Sequence, residues 1–79
     1  MRQTNEKAEC FSYSRTWDEI EVMLERAEKL MHYHEVKCID GSLPKKKRLV
    51  HARNFKALQG VVKTLRWTLG DKNIMHPLE

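Results

Sequence analysis

Ile39-Asp40-Gly41-Ser42-Leu43-Pro44 is the stretch on which the fold turns. It collects a glycine, a serine and a proline in six residues, between two long segments that carry a helical period. Gly41 is expected to take the left-handed conformation that ends a helix. Ser42 is expected to cap the next one, and Pro44 suits a first turn that needs no N–H at that position. A connection this short makes the two flanking helices antiparallel neighbours.

Upstream of the break, Trp17, Ile20, Leu24, Ala27, Met31, His34 and Cys38 recur at alternating steps of three and four, widened by Met23 and Leu30. That spacing lays one apolar stripe along a helix. Thr16-Trp17-Asp18-Glu19 fits the capping box, in which the Thr hydroxyl accepts a backbone N–H and the Glu carboxylate reaches back to the cap. Asp18 and Glu19 also suit the positive end of the helix dipole. The acids Glu21, Glu28 and Glu35 repeat every seven residues along the flank. A helix over 17–38 is therefore predicted, about 33 Å long at 1.5 Å per residue.

Downstream, His51, Phe55, Leu58, Val62, Leu65 and Leu69 repeat the same stripe, and Gly70 stands where a helix would stop. The spacing predicts a second helix over 43–69. Val50, Ala57, Val61, Thr64 and Thr68 form an adjacent, second stripe. One partner helix cannot cover both. The fold expected is all-α: an antiparallel two-helix hairpin, two copies of which associate into a four-helix bundle. Seventy-nine residues make a single small helical domain, with residues 1–15 as an arm and 71–79 as a tail, both expected to be flexible.

The net charge of +4 conceals where the charges lie. Gly41 to Gly70 holds eight Lys and Arg and no acid, whereas Thr16 to Ile39 holds six acids and three bases. Such asymmetry implies an anionic partner, or pairing of one half with the other. Lys45, Lys46, Lys47 and Arg48 open the second helix, where cations oppose the dipole unless an anion is near. Leu49, Arg53, Lys56, Gly60, Lys63 and Trp67 then recur at helical spacing opposite the core stripe, with Arg66 beside them. Cations interleaved with an aromatic and a glycine suit a nucleic-acid backbone: the glycine admits close approach and the tryptophan offers a stacking face. The competing reading is a solvated face, with Trp67 covered by Ile74 and Met75 of the tail. The helices are too long and the turn too open for a helix-turn-helix, so phosphate contact without base reading is the form expected.

Three further residues invite a metal reading. His34 and Cys38 are one turn apart on one face, and His51 lies near the same end of the hairpin. Imidazole and thiolate at that spacing suit a soft divalent ion, but no fourth ligand is evident and no zinc-finger or H-E-x-x-H spacing occurs. Interfacial histidines with a small apolar cysteine are the simpler reading, so no metal and no cofactor is expected. Cys10 and Cys38 have no C-x-x-C spacing and are expected to be reduced. No glycine-rich phosphate loop, nucleophile elbow or paired carboxylates occur, which argues against an enzyme. The start of the chain lacks a signal-peptide pattern, no apolar run is long enough to span a bilayer, and a cytoplasmic location is expected.

Two resemblances can be read from short stretches. Pro44-Lys45-Lys46-Lys47-Arg48-Leu49-Val50 resembles the nuclear-import signal of a viral large T antigen, with Leu49 where that signal has lysine. An importin takes such a segment extended, whereas here it is expected to open a helix. His51-Ala52-Arg53-Asn54-Phe55-Lys56-Ala57-Leu58-Gln59-Gly60, continued by Arg66-Trp67-Thr68-Leu69-Gly70-Asp71, resembles the helical half of small accessory proteins of phages and prophages. That resemblance implies a compact binding or inhibitory factor and supplies no site residues. Two functional expectations follow: a non-enzymatic basic module that contacts nucleic-acid phosphates, or a protein-interaction adaptor or inhibitor docking on an acidic protein partner.

Overall fold

Residues 14–79 are described by the structure, a computed structural model. Up to residue 13, the expected N-terminal arm lies outside the described residues. Two helices, α1 (Trp17–Cys38) and α2 (Lys45–Thr68), pack against each other as an all-α hairpin, with no strand among the described residues.

α1 begins as its capping box dictates. The Glu19 N–H donates to Thr16 Oγ1 at 3.1 Å, and the Thr16 N–H donates to Glu19 Oε1 at 2.9 Å. Two amide donors that the first turn leaves without partners are thereby satisfied. α2 ends equally cleanly. Gly70 takes φ +88°, its N–H donates to the Trp67 carbonyl at 3.0 Å, and the Asp71 N–H donates to the Arg66 carbonyl at 2.9 Å. These crossed bonds form a Schellman stop, which needs a residue without a Cβ at the left-handed position.

The connection departs from the expected chemistry. Gly41 does not take a positive φ: Gly70 is the positive-φ glycine among the described residues. Ser42 does not cap α2 either. Its N–H and hydroxyl both donate to Asp40 Oδ1, at 2.9 and 2.7 Å, so the Asp side chain organises the turn. Pro44, with φ −59° and ψ 148°, becomes the cap and offers no side-chain hydrogen bond. The second helix consequently starts two residues later than the spacing predicted and ends one earlier.

The core is thin. Among the described residues only Ala27 and Val62, one from each helix, are buried, at 7% and 4% exposure, and no side chain there is fully enclosed. Ile20, Leu24, Met31, His34, Phe55, Leu58, Leu65 and Leu69 of the two stripes are half-buried. Trp17, expected in the first stripe, is 64% exposed. The second stripe of α2, represented by Val50, Ala57 and Val61, faces outward, as a single partner helix leaves it.

Candidate anion-binding face

At about 100° per residue from Val62 at the helix contact, Lys56 and Lys63 fall on one flank of α2, Ala57 and Val61 on the other, and Arg53 on the outer face between them. Antiparallel packing extends this division to α1. On the flank of Val61 an open groove is lined by Met23, Ala27, Leu30, Tyr33, Leu58 and Val61 together with the cations Arg26 and Lys29. Through Met23 it adjoins a second groove that includes Ile20, Val22 and Leu65. On the opposite flank, Arg66 pairs with Glu28 of α1. That contact puts the acidic column Glu21, Glu28 and Glu35 on the same side as the cations of α2.

The pairing is confined to Arg66. Among the described residues, no carboxylate forms an ion pair with Lys45, Lys46, Lys47, Arg48, Arg53, Lys56 or Lys63, the remaining ion pairs being Arg15–Glu19 and His32–Glu35 within α1 and its approach. Arg48 instead turns its Nε back to the Leu43 carbonyl at 3.2 Å and is half-buried. Lys45, Lys46 and Lys47 are exposed around a first turn that contains no acid and no side-chain cap. The amide N–H groups of that turn are thus left to solvent or ligand.

Trp67 is 48% exposed on the outer flank of α2. Of the two residues expected as its cover, Met75 is itself 89% exposed and Ile74 is half-buried. The tail instead brings Pro77 and Leu78 to a shallow groove beside Ala57, Gly60, Val61 and Thr64. Gly60 lies on the cationic flank, and a Cβ there would meet nothing within 4 Å.

The three metal-reading residues are brought together only in part. His34 and His51 meet across the hairpin, Nδ1 to Nδ1 at 2.9 Å. Cys38 turns its thiol to the Glu35 carbonyl, 3.2 Å away, and the described residues contain no cluster of three or more metal-ligating side chains. Tyr33, which sequence reasoning did not single out, stands edge-on to both imidazoles at ring separations of 5.1 and 5.8 Å. Its place in the helical wheel, one residue before His34, gave no signal of this, because adjacent residues ordinarily face different sides.

No helix of the described residues is long and apolar enough to cross a membrane. No family model, curated protein or solved structure matches the chain.

Proposed function

We propose that the chain is a non-enzymatic basic helical module that binds nucleic-acid phosphates through α2 without reading sequence. The observation that carries this reading is that Arg53, Lys56, Lys63 and the helix-opening Lys45, Lys46 and Lys47 meet no carboxylate among the described residues although an acidic helix lies alongside. A strand's phosphates would follow these cations, the bare first turn of α2 would offer amide donors, and exposed Trp67 would take a base on its face. Phosphate contacts of this kind release counterions, so binding weakens steeply with salt, by a slope of about 0.9 per phosphate on duplex DNA. Arg53→Glu, Lys56→Glu and Lys63→Glu combined should abolish the shift of a mixed-sequence DNA or RNA at 50 mM salt and leave the helical circular-dichroism spectrum unchanged. Binding that survives this triple reversal refutes the reading.

The open apolar flank favours a second element of the proposal. With two buried residues in the hairpin, and Met23, Leu30, Tyr33 and Val61 each close to half exposed along one side, a second copy of the chain is the occupant that supplies a matching stripe. Two hairpins joined through this flank make a four-helix bundle with both cationic faces outward. The same flank supports the alternative of an adaptor or inhibitor docking on an acidic protein. Capture that resists nuclease, together with no shift of nucleic acid at moderate salt, would decide for that alternative.

A further inference from the structure

His34 and His51 are absorbed neither by the cationic face nor by the apolar flank. They sit at the closed end of the hairpin, where the short connection fixes the two helices against each other. Both rings are half-buried, their centroids are 5.1 Å apart, and their Nδ1 atoms stand 2.9 Å apart. Among the described residues, neither ring makes another hydrogen bond.

A neutral imidazole carries one N–H and one bare lone pair. Two opposed Nδ1 atoms can form a hydrogen bond only when one ring holds its proton on Nδ1 and the other holds it on Nε2. When both carry it on Nε2, two lone pairs face each other from two different helices. Rings that turn so that both lone pairs meet at one point offer a metal ion two donors. Zinc bonds imidazole nitrogen at about 2.0–2.1 Å in tetrahedral geometry, which sets two donors roughly 3.3 Å apart. Reaching that spacing takes a widening of about 0.4 Å and a turn of both rings from their head-on contact.

We infer that His34 and His51 form a two-imidazole clamp for a borderline-soft divalent cation such as zinc, nickel or copper, with water filling the remaining positions. Charge alone would not hold the ion there. The carbonyl end of α1 attracts a cation, but Lys37 in its last turn and Lys45, Lys46 and Lys47 at the start of α2 repel one. Selection therefore falls on ions that bond nitrogen, and excludes magnesium and calcium, which prefer oxygen. Because the donors come from different helices, the bound ion ties α1 to α2 and stabilises the folded hairpin over the unfolded chain.

The test uses the full chain under reducing conditions, titrated with zinc chloride and, separately, magnesium chloride. Zinc should shift the ring C–H resonances of both His34 and His51, and at 100-fold excess over its dissociation constant raise Tm by about 10 °C. Magnesium should do neither. His34→Asn and His51→Asn should each remove the thermal shift, whereas Cys38→Ser should keep it. Ring resonances of His34 and His51 that stay in place under zinc would overturn the clamp without recourse to any variant. A thermal shift that persists in both histidine variants, or that vanishes in Cys38→Ser, would overturn it as well.

Discussion

Thr16 and Glu19 show how much a pair of exposed side chains can decide. Their reciprocal bonds fix the entry of α1, and they leave a titratable signature. The Thr16 backbone N–H, then the Thr16 hydroxyl and the Arg15 guanidinium, hold the Glu19 carboxyl below its ordinary value of 4.5. Asp40 is lowered likewise from 3.8, first by the Ser42 hydroxyl and then by the Ser42 N–H. A carboxyl whose pKa is depressed by folding contributes stability that is complete above its unfolded value and is lost as pH falls through the folded one. The contribution of these two carboxyls should therefore be complete above about pH 5 and be lost as pH falls below about 4, seen as a falling Tm in acid. Thr16→Ala should cost about 1 kcal/mol at neutral pH and flatten that acid limb. Thermal melts at stepped pH check both outcomes.

At the scale of the helix, the two ends of α2 behave differently, and the difference tracks what a sequence can signal. Thr16, Glu19 and Gly70 act through bonds to residues within four positions, so their roles were legible from spacing alone. The start of α2 was not. Asp40 competes for Ser42 and wins both of its donors, which leaves Pro44 as an uncapped entry. Glu28 recurs in a visible heptad, but its pairing with Arg66 depends on which flank of each helix faces the other, and periodicity does not fix that handedness. Glu28→Gln would release Arg66 to solvent. Both side chains are more than a third exposed, so the expected loss of stability is only about 0.5 kcal/mol. The freed guanidinium should steepen the salt dependence of nucleic-acid binding by about one unit of slope. Gly60 offers a complementary measurement. Open space surrounds it, and alanine is the better helix former, so Gly60→Ala should stabilise the hairpin by roughly 0.5–1 kcal/mol. The same methyl would hold a phosphate away from the backbone, so the more stable variant should bind nucleic acid more weakly. Urea melts and gel-shift titrations on one preparation read both effects.

For the molecule as a whole, the governing fact is that one flank of the hairpin carries Lys56, Lys63 and the Glu28–Arg66 pair, while the other opens an apolar groove lined also by Arg26 and Lys29. Within the acidic column of α1, Glu28 alone pairs with a base of α2, and that base is Arg66. The other side keeps Met23, Leu30, Tyr33 and Val61 in water unless a partner takes them out. If the partner is a second copy, stability must rise with protein concentration. A tenfold dilution at micromolar levels should lower Tm by several degrees, and sedimentation should show twice the chain mass at the higher concentration. A concentration-independent Tm with single-chain mass would assign the flank to a different protein.

With Ala27 and Val62 as its only sealed contacts, the solitary hairpin keeps every backbone amide within a brief opening of bulk water. Its hydrogens should then trade for deuterium along the full length of both helices, with no slow kernel of the kind larger domains retain. The arrival of any companion, whether a twin chain, a polyanion or a metal ion at the closed end, would be written as newly protected amides at the place of contact. The thinness of the interior thus makes the molecule a recorder of what it meets.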